Sequence, residues 1–261
     1  MKVALIGDVH GQLGWLLACL RTANSTGGAE LVCQIGDLGA PWPGPQKWRQ
    51  IDRLQLECER LNLDFLWIRG NHDDWGTLSS LKPEPGEGFA RMRERLWYLP
   101  DGARAEINGV VIGGLGGASS IDRAWRWQEE KRSGKPRTYY FPEEIVDRGA
   151  AARLALGGPG IDLLLTHEAP KQMFDERHLQ YRDISHLAPQ FSFDSRMDIE
   201  LVTRVRAVVK PRLHVHGHHH VRVTSDDGSV IDLGRDGDRL GAMVMWDSDT
   251  GGVTDLVVKG A

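Results

Sequence analysis

Cysteine is scarce: Cys19, Cys33 and Cys58 are the three in 261 residues. An odd count without paired spacing argues against a disulfide framework and for a reducing compartment, so a cytoplasmic location is expected. Long apolar runs are also missing. No stretch approaches the roughly 20 residues that cross a bilayer, and the opening "MKVALIGDVHG" has too few apolar residues after Lys2 for a signal-peptide core. Positive charge is not in excess, since 32 Lys and Arg stand against 36 Asp and Glu. A chain that lives on a nucleic-acid backbone is usually more basic. Nucleic acid is therefore not the favoured partner, and no membrane is expected. An anionic substrate stays open, because bound cations add charge that a formal count omits. With no low-complexity linker or internal repeat, a single domain over residues 1–261 is expected. Nothing in the sequence bears on oligomeric state.

What is present is a recurring pattern. Short apolar runs each end in a polar loop: Val3 to Ile6 before "GDVHG", Leu31 to Ile35 before "GDLG", Phe65 to Ile68 before "RGNHDD", Leu163 to Leu165 before "THE", Leu213 to His216 before "GHHH". Such runs, bounded by glycine, are what buried strands look like. Between the first three lie helical patterns. Trp48, Ile51, Leu54, Cys58 and Leu61 recur at three- and four-residue steps, and "QLGWLLACLRTAN" reads likewise. Alternating strands and helices predict a parallel or mixed sheet covered by helices. Later, Asn108-Gly109, Asp227-Gly228 and Thr250-Gly251-Gly252 mark hairpins. From these a second sheet is expected, drawn largely from the C-terminal part. Residues 118 to 144 are charged, aromatic and aperiodic, and read as a long loop with a short helix.

Five of the ten histidines lie between His214 and His220. A purification tag would sit at a terminus, and a solvated polar loop is the plain alternative. Loops after the C-terminal ends of parallel strands converge on one edge, however, where ligands bind. The five loops carry Asp8, His10, Asp37, Asn71, His72, His167, His218 and His220. Alone, each aspartate could be a turn former or helix cap, and His167 a structural histidine. Together they form a set of oxygen and nitrogen ligands with no thiolate. That set suits Mn, Fe, Zn, Co or Ni, and it disfavours thiolate zinc or iron–sulfur sites.

The ordered motifs Asp8-x-His10, Gly36-Asp37, Gly70-Asn71-His72-Asp73, His167 and Gly217-His218-His219-His220 resemble the calcineurin-like metallophosphoesterase family, from residue 5 to about residue 220. "GLGGASSIDRAWR" is similar to its small bacterial and phage-type members. The resemblance implies an α/β fold, a four-layer αββα sandwich of two mixed β-sheets flanked by helices. It implies two divalent metal ions, Mn foremost. Asp8, His10 and His220 would hold the first, Asp37 would bridge, and Asn71, His167 and His218 would complete the second. His72 would stay off the metals and protonate the leaving group, with Asp73 or Asp74 orienting it. The implied activity is hydrolysis of phosphomonoesters or phosphodiesters, small nucleotide-derived esters among them. The nucleophile would be a metal-bound hydroxide, since two dications lower the pKa of a bound water from about 15.7 toward 7.

Departures narrow the reading. "GDVHGQ" is similar to the start of the protein Ser/Thr phosphatase branch, but that branch continues Gly-Asp-x-x-Asp-Arg-Gly where this chain has "GDLGAPW". A nuclease of the family would usually carry extra DNA-contacting elements, which this chain does not show. A non-catalytic scaffold would typically have lost ligands or His72, and here the set is complete. Within the histidine tract, His219 is expected to point away, His216 to support a ligand and His214 to be structural. A register using His216 and His218 is the rival. His178 and His186 read as surface or substrate-side residues. Asp122, Arg123 and Arg126 could contact phosphate or be solvated. Trp125, Trp127, Tyr139 and Tyr140 could stack a base or anchor the loop to the core.

Overall fold

Along the first strand, β1 (Lys2–Ile6), side chains alternate between two cores: Val3 and Leu5 face one, Ala4 and Ile6 the other. This period of two is the strand signature, and burial on both faces explains why the run reads as continuously apolar. The computed structural model describes residues 1–42, 47–180 and 189–260. After β1 come α1 (Leu13–Thr22), β2 (Leu31–Ile35), α2 (Arg49–Leu61), β3 (Asp64–Ile68), α3 (Trp75–Leu78), β4 (Ala90–Arg93), β5 (Leu96–Tyr98), β6 (Arg104–Ile107) and β7 (Val110–Leu115). The chain continues with α4 (Arg123–Ser133), α5 (Arg148–Leu156), β8 (Leu163–Thr166), α6 (Gln172–Asp175), α7 (Pro189–Val209), β9 (Leu213–His216), β10 (Val223–Thr224), β11 (Val230–Asp232), β12 (Met243–Asp247) and β13 (Val253–Asp255).

The strands form two mixed sheets, ordered β13-β12-β1-β2-β3-β5-β4 and β10-β11-β9-β8-β7-β6. In the first, β1, β2, β3 and β5 are parallel; in the second, β7, β8, β9 and β11 are parallel. The sheets pack face to face through Leu5, Cys33, Leu66, Ile112, Leu165 and Val215. Helices α1 and α2 cover the outer face of the first sheet, with Leu16, Leu20, Ile51 and Leu54 against Ile6 and Val32. On the second sheet α5 and α7 do the same, with Leu154, Val202 and Val205 against Leu115 and Leu164. This is the four-layer sandwich that the family resemblance implied. Full burial of one such side chain contributes about 1.5–3 kcal/mol.

Helix α2 shows how local signals set an element. Ile51, Leu54 and Cys58 form its buried stripe, and Asn62 closes it in the left-handed conformation, φ 53°. Three expectations change. The β12–β13 hairpin belongs to the first sheet, antiparallel to β1, so the second sheet draws on β6, β7 and β8 from the middle of the chain as well as on β9, β10 and β11 from its later part. Residues 118–144 are not mainly loop, since α4 spans 11 residues and a 3-10 turn covers Pro142–Glu144. Helices α5 and α7 are additional to the elements expected from the sequence. No described helix is long and apolar enough to cross a membrane. His186 lies outside the described residues.

Candidate metal centre

Because β1, β2 and β3 are parallel in one sheet and β7, β8, β9 and β11 in the other, their C-terminal loops meet at one edge of the sandwich. Glycines let those loops close in. A Cβ on Gly70 would collide with Asp37, one on Gly217 with Asp8, and one on Gly36 with His167 and Gly70. Glycine there is required by space, not by turn type alone. Four of the eight candidate residues adopt a left-handed backbone: His10 (φ 45°), Asp37 (φ 55°), His218 (φ 69°) and His220 (φ 59°). Such conformations cost roughly 1–3 kcal/mol each, and they persist where the surroundings over-determine them.

The eight residues come together. Asp8 Oδ2 lies 2.9 Å from His220 Nε2 and 3.8 Å from His10 Nε2, and its Oδ1 accepts from the His218 N–H at 3.2 Å. Asp37 stands between two groups, with Oδ2 3.6 Å from His10 Nε2 and Oδ1 3.5 Å from His167 Nε2. Asn71 Oδ1 lies 2.8 Å from His167 Nε2, and the His167 and His218 rings are 5.2 Å apart. Ligand atoms of Asp8, His10 and His220 all fall within 4.8 Å of one another, as do those of Asp8, Asp37 and His167. Each of two imidazoles is anchored through one nitrogen and offers the other. His10 Nδ1 is held by Asp236 Oδ1 at 2.8 Å, and His167 Nδ1 by the Ile35 carbonyl at 2.8 Å. Metal-binding histidines are held in this way.

The electrostatics agree with a cation site. Asp8 and Asp37 are fully buried. Burial alone would lower the His10 imidazole, but Asp37, Asp236 and Asp8 raise it to about 9. Burial would likewise lower His167, yet Asp37 and Asp8 raise it to about 10. Burial would raise the Asp37 carboxyl, but His167, His72 and His10 hold it well below the usual range. The carboxylates thus create a strong preference for positive charge. Their oxygens, the Asn71 carbonyl and the imidazoles fit two divalent ions of the N/O-loving kind.

His72 donates its backbone N–H to Asp37 Oδ1 at 2.7 Å and stays half-buried, with its ring 6.3 Å from that of His10. Neither neighbouring aspartate orients that ring. Asp73 accepts from the Gly39 and Gly70 N–H groups, and Asp74 caps α3 and pairs with Lys47 at 3.0 Å. His219 Nε2 meets the buried Glu168 carboxylate at 2.9 Å, a partner outside the eight candidate residues. His216 sits 3.5 Å from Asp232 and touches no candidate ligand through its ring nitrogens, while His214 bonds to Thr166. His178 lies on the surface beside Glu176 and Asp226.

Arg123 and Arg126 turn inward onto the buried Glu144, and Asp122 pairs with Arg126, so none of the three is a free phosphate contact. Trp125, Trp127 and Tyr139 are exposed and anchor no core. Sequence reasoning missed Ser120, whose Oγ accepts from Asn71 Nδ2 at 2.8 Å, and Asp236. Both sit in loops after parallel strands, β7 and β11, which the sequence marks only as hairpin members. A cleft of about 270 Å3 opens beside the site, lined by Asn71, His72 and His220 and by the apolar Ile121, Phe174 and Ile199.

The chain belongs to the calcineurin-like phosphoesterase family, whose model matches residues 1–222. It is accordingly a metal-dependent phosphoester hydrolase, and membership implies two divalent metal ions. Among solved structures it is similar to a dimetal phosphatase from Danio rerio, at 13% identity over 94% of this chain and 91% of that one, with a TM-score of 0.46. It is also similar to a 5'-nucleotidase precursor from Thermus thermophilus, at 13% identity and a TM-score of 0.47, covering 99% of this chain but 54% of that one. No curated protein sequence matches the chain.

Proposed function

We propose that the protein is a dinuclear phosphoesterase acting on small organic phosphate esters. Asp37 would be shared between the two ions, with Asp8, His10 and His220 holding one and Asn71, His167 and His218 the other. The observation that carries this reading is Asp37 itself, a buried carboxylate with one oxygen toward His10 and the other toward His167. Two divalent ions held there would make a water acidic enough to ionise near neutral pH and would offset charge on the phosphate oxygens. Mn is the first candidate, with Fe, Zn, Co and Ni accepted by the same donors.

The chain's own residues supply the rest. The His72 backbone is tied to Asp37, and His72 lines the cleft beside the candidate ligands. An imidazole there is placed to give its proton to the leaving oxygen. The apolar Ile121, Phe174 and Ile199 offer a dry surface to the organic part of the ester, nucleotide-derived groups among them, and the cleft's volume suits a small molecule better than a duplex. The three cysteines are free and buried, which suits a reducing compartment such as the cytoplasm.

The test is hydrolysis of bis(p-nitrophenyl) phosphate and p-nitrophenyl phosphate by metal-stripped protein with Mn, Ni, Co or Zn added back. Turnover that depends on added metal is expected. Activity on the diester would make the natural substrate a phosphodiester, and activity on the monoester alone a phosphomonoester. His72→Ala should cut turnover by roughly 100- to 10,000-fold with metal content near two ions. If that variant instead loses metal, His72 is a ligand and the assignment of roles is wrong.

A further inference from the structure

We propose that the charged segment after β7 acts on the metal centre from behind: Ser120 and Glu144 fix which end of the Asn71 amide faces the ions. The inference rests on the reading of Asn71 as a metal ligand. Glu144 is fully buried and paired with two guanidinium groups, Arg123 Nε at 2.6 Å and Arg126 Nη2. Arg123 is itself tied to Asp194 on α7 at 2.6 Å. The Glu144 backbone is fixed as well. Arg69, two residues before Asn71, donates to the carbonyls of Glu144 at 3.2 Å and Ile145 at 2.9 Å.

An ion-paired carboxylate only accepts hydrogen bonds. The Ser120 hydroxyl therefore gives its hydrogen to Glu144 Oε2, at 2.9 Å, and the Ser120 N–H points to Oε1 at 3.3 Å. With that hydrogen committed, the hydroxyl oxygen presents lone pairs to Asn71. Only the amide nitrogen can meet them, and Nδ2 does so at 2.8 Å. The carbonyl oxygen is thereby turned toward His167 Nε2, where the ligands converge. A flipped amide would set oxygen against oxygen at Ser120 and point N–H groups at a cation. The polarity of the chain Arg–Glu144–Ser120–Asn71 thus leaves one orientation of the amide. Ser120 and Glu144 are positioning residues, and α4 supplies the arginines that set the direction.

The experiment is Mn2+ binding to the whole chain, followed by calorimetry and by the manganese spin-resonance signal of coupled ions. Ser120→Ala should bind the second ion about 10- to 100-fold more weakly, the usual effect of removing a partner that orients a ligand. The first ion should be unaffected, and Ser120→Thr, which keeps the hydroxyl, should restore the second. A reversal of sign gives an independent check. Glu144→Gln should weaken the second ion when residue 71 is asparagine. In the Asn71→Asp background it should strengthen that ion, because a glutamine amide can donate to Ser120 and free the hydroxyl hydrogen for a carboxylate. Ser120→Ala binding both ions like the parent protein would overturn the proposal. So would the same sign for Glu144→Gln in both backgrounds, and that comparison decides if Ser120→Ala does not fold. Asn71→Ala retaining both ions at full affinity would overturn the ligand assignment instead.

Discussion

In one half of the site His10 and His220 are 27% and 33% exposed; in the other His167 and Asn71 are buried and His218 is half-buried. The two halves use the same donor types but are supported differently. The open half leans on Asp236, itself partly exposed, through a side-chain contact to His10. The buried half leans on a backbone carbonyl at His167 and on Ser120 and Glu144 behind Asn71. A carboxylate at the surface is screened by water and salt, whereas a buried carbonyl or ion-paired glutamate is not. The difference predicts one ion that exchanges readily and one that is held.

The variant that breaks this comparison most completely is Asp37→Ala. Removing the shared carboxylate should empty both halves and abolish turnover, read by metal analysis of the purified protein. Retention of one tightly bound ion would show that the halves do not share Asp37. Next in size, Asp236→Ala should weaken the ion on the His10 side by about 10- to 100-fold and leave the other unchanged. A titration with two resolved affinities checks this, and a uniform loss at both would erase the distinction. In a chelator time course the ion beside His10 and His220 should leave first, seen as biphasic release, and single-phase release would count against the open-and-buried picture.

The smallest effect sharpens the support of the buried half. Asp198 accepts from Ser119 Oγ at 2.7 Å and from the Val146 N–H at 3.1 Å, next to Ser120. Burial raises its carboxyl to about 8 from an ordinary 3.8. Between those values the folded chain keeps a proton that the unfolded chain has released, so stability falls as pH rises through that window. Asp198→Asn removes the ionisation, keeps an acceptor for the Val146 N–H, and meets the Ser119 hydroxyl with an amide N–H that donates where the carboxylate accepted. Melting temperatures at pH 5 and pH 9 should show it gaining on the parent at the higher pH and not at the lower. An equal shift at both would mean that Asp198 folds with its carboxyl ionised.

How much was legible before the structure follows from what each signal encodes. The runs ending at Ile6, Ile35 and Ile68 are strands because β-branched and apolar residues bounded by glycine have few other options, and all three lie in the first sheet. The metal-centre residues were visible because each follows such a run. Helix α7 was not visible, because it buries Ser192 and Asp198 before its apolar stripe of Val202, Val205 and Val209 begins. Hairpin signals at Asp227-Gly228 and Thr250-Gly251 gave a turn but not a neighbour. They hid both the return of β12 to the first sheet and the parallel pairing of β11 with β9 that brings Asp236 to the edge. Arg123 and Arg126 looked available to phosphate because their partner, Glu144, lies 21 and 18 residues away, beyond any local rule of side-chain pairing.

The position of β1, between β2 and β12, has a consequence for synthesis. Asp8 emerges early, yet its partners His218 and His220 lie 210 and 212 positions later. Closing so long a loop is slow, and no contact rewards it until both ends exist. A ribosome must therefore finish most of the chain before the centre can assemble. Nascent fragments that stop short of His218 hold Asp37 with His10 and His167 but leave Asp8 without His218 and His220, so the set of eight stays incomplete until that loop is made.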